Sequence, residues 1–151
     1  MMLKTHVMIA LFVVLFFISF VSHPFVFVLS VLVATVIPDL DSNTSSYGRH
    51  TIFRPLQFFV RHRGIIHSFT TAVVLSLLLA IKWPVISFGF FVGYSIHLLS
   101  DSFTKEGIQP FWPLHFKSYG PLVTGGRIEE SLFFLLIFVN AFIFFITIIL
   151  R

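Results

Sequence analysis

The chain has 151 residues, of which 57% are hydrophobic and 11% charged, with a mean hydropathy of +0.99, a balance far outside that of soluble domains. Cysteine is absent, which excludes disulfides and thiolate metal sites and leaves imidazole, carboxylate and backbone oxygen as the available metal donors. The formal charge of +4 does not argue for nucleic acid, because basic residues beside apolar runs act as topology signals and headgroup contacts.

Five apolar segments follow one another, and each reads as a helix: residues 7–21, 24–37, 68–81, 84–99 and 132–150. Lys4 precedes the first as in an export signal, but no small-x-small cleavage site follows and another apolar run comes directly after. An uncleaved membrane segment is therefore expected. Only Ser22-His23 separates the first two segments, and Pro24 suits the first position of a new helix. One straight helix over 7–37 would rise about 46 Å, too long for a ~30 Å hydrocarbon core, so a tight hairpin is predicted, crossing thinly or re-entrant. Residues 39–67 are polar at first. Phe53, Leu56, Phe58, Phe59 and Val60 then alternate with Arg54, Gln57 and Arg61, as in a short interfacial helix.

Lys82-Trp83-Pro84 breaks the third segment from the fourth, with an interfacial aromatic and a cation that can snorkel. Residues 102–130 carry several glycines and prolines and read as a loop, in which Phe111, Trp112, Phe116 and Tyr119 favour the headgroup boundary. The whole chain, 1–151, is thus expected to be one all-α, polytopic membrane domain of about five helices.

An even number of crossings separates His6, Asp39, His67, the pair His97 and Asp101, and Glu129, so all five places fall on one side of the bilayer. Lys4, Arg49, Arg54, Arg61, Arg63, Lys105, Lys117 and Arg127 fall there too, against Lys82 and Arg151 on the other. The positive-inside rule makes that face cytoplasmic, in the inner or plasma membrane.

Chemistry gathers at these ends. His97 and Asp101 are four apart, so on a helix they share one face and can donate to a single ion. Asp39 and Asp41 lie just past a helix C-terminus, where the dipole disfavours carboxylates and a divalent ion would compensate. His62 and His67 are five apart, off one helical face. His67 is favoured as the ligand, leaving His62 as a second ligand, a proton shuttle or a supporting group. Glu129 opens the last helix, where acids are favoured anyway, yet it could complete the site or act as a base. Imidazole-rich donors suit zinc or manganese better than magnesium. His23, His50 and His115 are read as structural or solvated.

The motifs Thr5-His6, Ile37-Pro38-Asp39-Leu40-Asp41, His62-Arg63-Gly64-Ile65-Ile66-His67-Ser68 and the run from Gly93 through His97 and Asp101 to Gly107, followed by Pro110-Phe111-Trp112-Pro113, carry a resemblance. The chain resembles the YdjM-like family of inner-membrane-bound, LexA-regulated, metal-dependent hydrolases over nearly its full length. Ile66 stands where members often have threonine. The order His, Asp, His, then His-x-x-x-Asp is also similar to part of the zinc-dependent phospholipase C and single-strand nuclease superfamily. That likeness implies His6, Asp39, His67, His97 and Asp101 as ligands, with Asp101 able to bridge two ions. The superfamily's second His-x-x-x-acid pair has no counterpart here, so one or two zinc (or manganese) ions are expected.

The implied chemistry is phosphoester hydrolysis, a bound metal lowering the pKa of water toward ~7. Asp41 or His62 would take the proton, and Arg63 and Arg127 would bind phosphate. The expected partners are membrane lipids, with a phosphorylated lipid as substrate and no nucleic acid. The alternatives are a non-enzymatic ion or haem binder and a structural or regulatory membrane protein whose polar cluster fastens loops.

Overall fold

The computed structural model describes residues 1–41 and 64–149, and among these the architecture is all-helical apart from two isolated bridges. Five helices run α1 (Leu3–Phe17), α2 (Pro24–Val36), α3 (Phe69–Ala80), α4 (Pro84–Ser102) and α5 (Arg127–Phe144). Short 3-10 turns extend α1 over Ile18–Phe20 and α2 over Ile37–Asp41, and a π turn, Phe145–Ile149, extends α5. The expected interfacial helix near Phe53 to Arg61 lies outside the described residues.

Each expected segment appears as a helix with shifted bounds. Pro24 and Pro84 open α2 and α4, where the missing N–H is not needed. Ser68 caps α3, its hydroxyl accepting from Thr71 N–H at 3.2 Å. α2 is dense in valine, a weak helix former, but helix satisfies every interior backbone group without water. α5 begins at Arg127, ahead of the apolar run, because its polar first turn with Glu129 and Glu130 is itself favourable helix. α4 likewise runs past the apolar boundary through His97 and Asp101 to Ser102.

α4 is the central helix, packed along α2 and α3 and touching α1, and α5 packs on α1. The α2–α4 contact is close because Gly89 and Gly93 form a small-xxx-small face. A methyl group on Gly93 would overlap the Val31 carbonyl oxygen and lie 2.9 Å from Val31 Cα, so the two backbones meet directly. Small Ala34 and Ala72 pack with Phe90, Tyr94, Leu98 and Ile108 on one side of α4, and Ala10, Val14, Phe27 and Val31 form a second cluster. Asn140 donates from α5 to the Met8 carbonyl of α1 at 2.9 Å.

The outer surface is apolar, with Phe16, Phe20, Phe25, Leu77, Phe138 and Phe142 mostly exposed. Among the described residues two helical stretches are long and apolar enough to cross a membrane, Leu3–Phe20 and Arg127–Thr147, while Pro24–Leu40 and Phe69–Ala80 are apolar but shorter. Between α4 and α5 the chain folds back on itself: Ile108 and Ser118 exchange backbone hydrogen bonds at 2.9 Å, and Leu122 N–H donates to Phe103 O. Gly107, with φ 64°, takes the left-handed turn that this exchange requires.

Candidate metal centre

Five side chains from four helices and their ends meet at one end of the bundle. His6 lies in the first turns of α1, Asp39 in the 3-10 turn after α2, His67 just before α3, and His97 and Asp101 on the last turns of α4. Pro38 restricts the backbone at the end of α2 and delivers Asp39 inward from the tighter turn that follows. His67 is set by its neighbours: the Tyr94 hydroxyl donates to Ile66 O at 2.7 Å, the Ser68 hydroxyl donates to Ile65 O, and Phe69 N–H donates to Pro110 O. Beyond Asp101, Thr104 turns back and donates its hydroxyl to the Asp101 carbonyl at 2.7 Å.

His97 is the hub. Its Nδ1 lies 2.7 Å from the Thr35 carbonyl oxygen, which can only accept, so Nδ1 carries the proton and the lone pair of the neutral ring falls on Nε2. Thr35 stands one turn beyond Val31, as His97 stands one turn beyond Gly93, so the close glycine contact brings that carbonyl within reach. His97 Nε2 is buried and, among the described residues, has no hydrogen-bond partner. Facing it are Asp39 Oδ1 at 3.8 Å and Asp101 Oδ2 at 3.7 Å. Asp101 Oδ2 is also 3.8 Å from His67 Nε2, while its Oδ1 is 3.2 Å from His6 Nε2 and accepts from the Met1 amino group. The His6 and His97 rings stack with centroids 4.0 Å apart.

Most of these separations are too long for hydrogen bonds. They fit donors that share an ion: two ligands each 2.0–2.1 Å from a tetrahedral zinc lie about 3.4 Å apart. Donor atoms of His6, His97 and Asp101, and likewise of Asp39, His67 and His97, all fall within 4.8 Å of one another. Three imidazoles and two carboxylates, nearly all excluded from solvent, form a donor set whose negative charge a divalent cation would neutralise.

All five ligands expected from the sequence are therefore together. Glu129 is buried beside them, but its carboxylate is engaged by backbone: Oε1 accepts from Met2 N–H at 2.6 Å and Oε2 from Gly125 N–H at 2.7 Å. Arg127 is exposed at the start of α5, and the His115 position lies exposed in the loop. His62, Arg63 and the side chain of Asp41 lie outside the described residues. Three contributors were not singled out from sequence: Thr35 and Tyr94, which orient two of the imidazoles, and the Gly89/Gly93 pair. The GxxxG spacing is a signal for the glycines.

The profile of the family described as YdjM inner membrane protein matches residues 1–150. Inner membrane protein YdjM of Escherichia coli (strain K12) is 26% identical over 113 residues, covering 67% of this chain and 58% of that protein. The Shigella flexneri protein of the same name matches to the same extent. The chain thus aligns with little more than half the length of these curated relatives, and no solved structure matches it significantly.

Proposed function

Because this chain belongs to the YdjM family of inner membrane proteins, we propose that it is a membrane-bound, metal-dependent hydrolase acting on a phosphoester of an amphipathic substrate. In this reading the five helices cross the bilayer and the metal centre opens on the cytoplasmic side. The observation that carries it is the buried His97 Nε2, its ring fixed by Thr35 and its lone pair facing two carboxylates among two further imidazoles. Such an arrangement is costly to bury without a cation and is the usual support for a ligating histidine.

His6, Asp39, His67, His97 and Asp101 would hold the ion, zinc by donor type and manganese next. When bound it would supply Lewis acidity, lowering the pKa of a coordinated water toward ~7 and polarising the phosphoryl oxygen. Asp41 or His62 would accept the proton, and Arg63 and Arg127 would bind the phosphate.

The test is elemental mass spectrometry on detergent-purified protein. Near-stoichiometric zinc or manganese is expected in the wild type, with loss in folded His97→Ala and Asp101→Ala variants. Release of phosphate from phospholipid or polyprenyl phosphate should be lost with it. No metal after repletion would sink the hydrolase and leave a cluster that merely fastens loops.

A further inference from the structure

An apolar cavity of about 210 Å³ opens on the bundle surface between α1, α4, α5 and the loop that follows α4. Its rim includes Leu99 and Phe103, each more than half exposed on the outer surface, and its walls include Ile9 and Leu132. Inward it reaches Met1 and Ser100. The Met1 amino group contacts Asp101, and Ser100 precedes Asp101 in the chain, so the inner end of this apolar space abuts the metal centre.

We infer that this cavity holds the first part of a hydrocarbon chain of a phosphorylated lipid drawn sideways from the surrounding leaflet. The inference rests on the phosphoester reading of the adjoining centre and assigns the place where the substrate's hydrocarbon chain is held. A pocket that is apolar along its walls, open to the lipid-facing surface and closed at its inner end by charged groups matches a molecule with a tail and an anionic head. The outer rim admits the chain without passage through water. The volume suits a length of chain and not a whole lipid, so most of the tail stays in the bilayer while the head is brought to the ligands.

The test uses full-length, metal-loaded protein in detergent micelles with phosphatidic acid that carries a diazirine within one acyl chain. After irradiation, adducts are mapped by peptide mass spectrometry. Labelling should concentrate on the segments bearing Ile9 and Leu132 and should fall about fivefold with excess unlabelled phosphatidic acid, but not with the matching diacylglycerol. Leu132→Trp and Ile9→Phe, made separately and checked for folding by their metal content, should each reduce that labelling to a similar degree by filling the space. Labelling spread over the exposed face of α5, indifferent to competitor and to both variants, would overturn the inference. Competable labelling in a protein that hydrolyses no phosphoester would keep the chain site and sink the hydrolase. Hydrolysis of a tail-less phosphoester with indifferent labelling would do the reverse.

Discussion

A carboxylate beside a metal centre can belong to the chemistry or to the frame, and its partners decide between them. Glu129 accepts from two backbone N–H groups, those of Met2 and Gly125, which ties the start of α5 to the start of α1. Glu129→Ala would remove the acceptor from both donors, and because Met2 and Gly125 are exposed to water the loss is about 0.5–1.5 kcal/mol for each bond. The expected outcome is a lowered Tm with metal stoichiometry unchanged. A variant with wild-type Tm that fails only in turnover would instead make Glu129 the base. His97 is the opposite case, since one nitrogen is spent on Thr35 O and the other is held facing carboxylates. The sequence carried much of this: the i, i+4 spacing of His97 and Asp101 is visible in any helix. The Thr35 carbonyl is not, because a backbone acceptor leaves no mark on residue type.

The α2–α4 pair turns sequence spacing into site geometry. Gly93 meets Val31 backbone against backbone, and there is no flexible atom to move aside. Gly89 faces the Ser30 side chain, with the Phe27 carbonyl oxygen 3.1 Å from where a methyl carbon would sit. Gly93→Ala should therefore separate the helices, break the His97–Thr35 hydrogen bond and strip the metal. Gly89→Ala should cost less than Gly93→Ala, because rotation of Ser30 clears its hydroxyl and leaves Ser30 Cβ at 3.0 Å and the Phe27 carbonyl oxygen at 3.1 Å to give by a few tenths of an ångström. Thermal melts and metal content of the two variants in detergent check this, and equal effects would refute the asymmetry. Apolar run lengths located all five helices to within a few residues, because run length and proline at N1 are local signals. They misplaced the start of α5 and the end of α4, where functional polar residues continue the helix beyond the apolar run. The helix contacts depend on which faces carry small residues, and of these the GxxxG spacing of Gly89 and Gly93 is a sequence signal that the apolar runs alone do not bring out.

At the scale of the whole molecule, the reading requires every ligand-bearing helix end to lie on one side. The chain has no cysteine, so single introduced cysteines report sidedness cleanly. Exposed Lys117 lies in the loop after α4, and exposed Lys82 lies in the turn between α3 and α4. In intact cells an impermeant maleimide should label Lys82→Cys, and it should label Lys117→Cys only after permeabilisation. The reverse pattern would invert the orientation, and equal access to both would break the even-crossing argument. Parity of the apolar segments implies a common side for His6, Asp39, His67, His97 and Asp101, whereas their approach to within ion-binding distance in two groups that share His97 is seen only in the structure. The apolar cavity beside them was not legible in the sequence either, since it is an absence of side chains between three helices and a loop.

The helices also differ in length. Arg127–Thr147 rises about 31 Å and matches a ~30 Å hydrocarbon core, whereas α3, with 12 residues, rises about 18 Å. With α3 crossing as proposed, the bilayer is matched along one flank of the protein and some 12 Å too thick along the other. Lipids around α3 must shorten or tilt, at a fraction of a kcal/mol per ångström, and the strain is one-sided. In that arrangement the protein would carry its own dent in the leaflet, and thin membranes would accommodate it at least elastic cost.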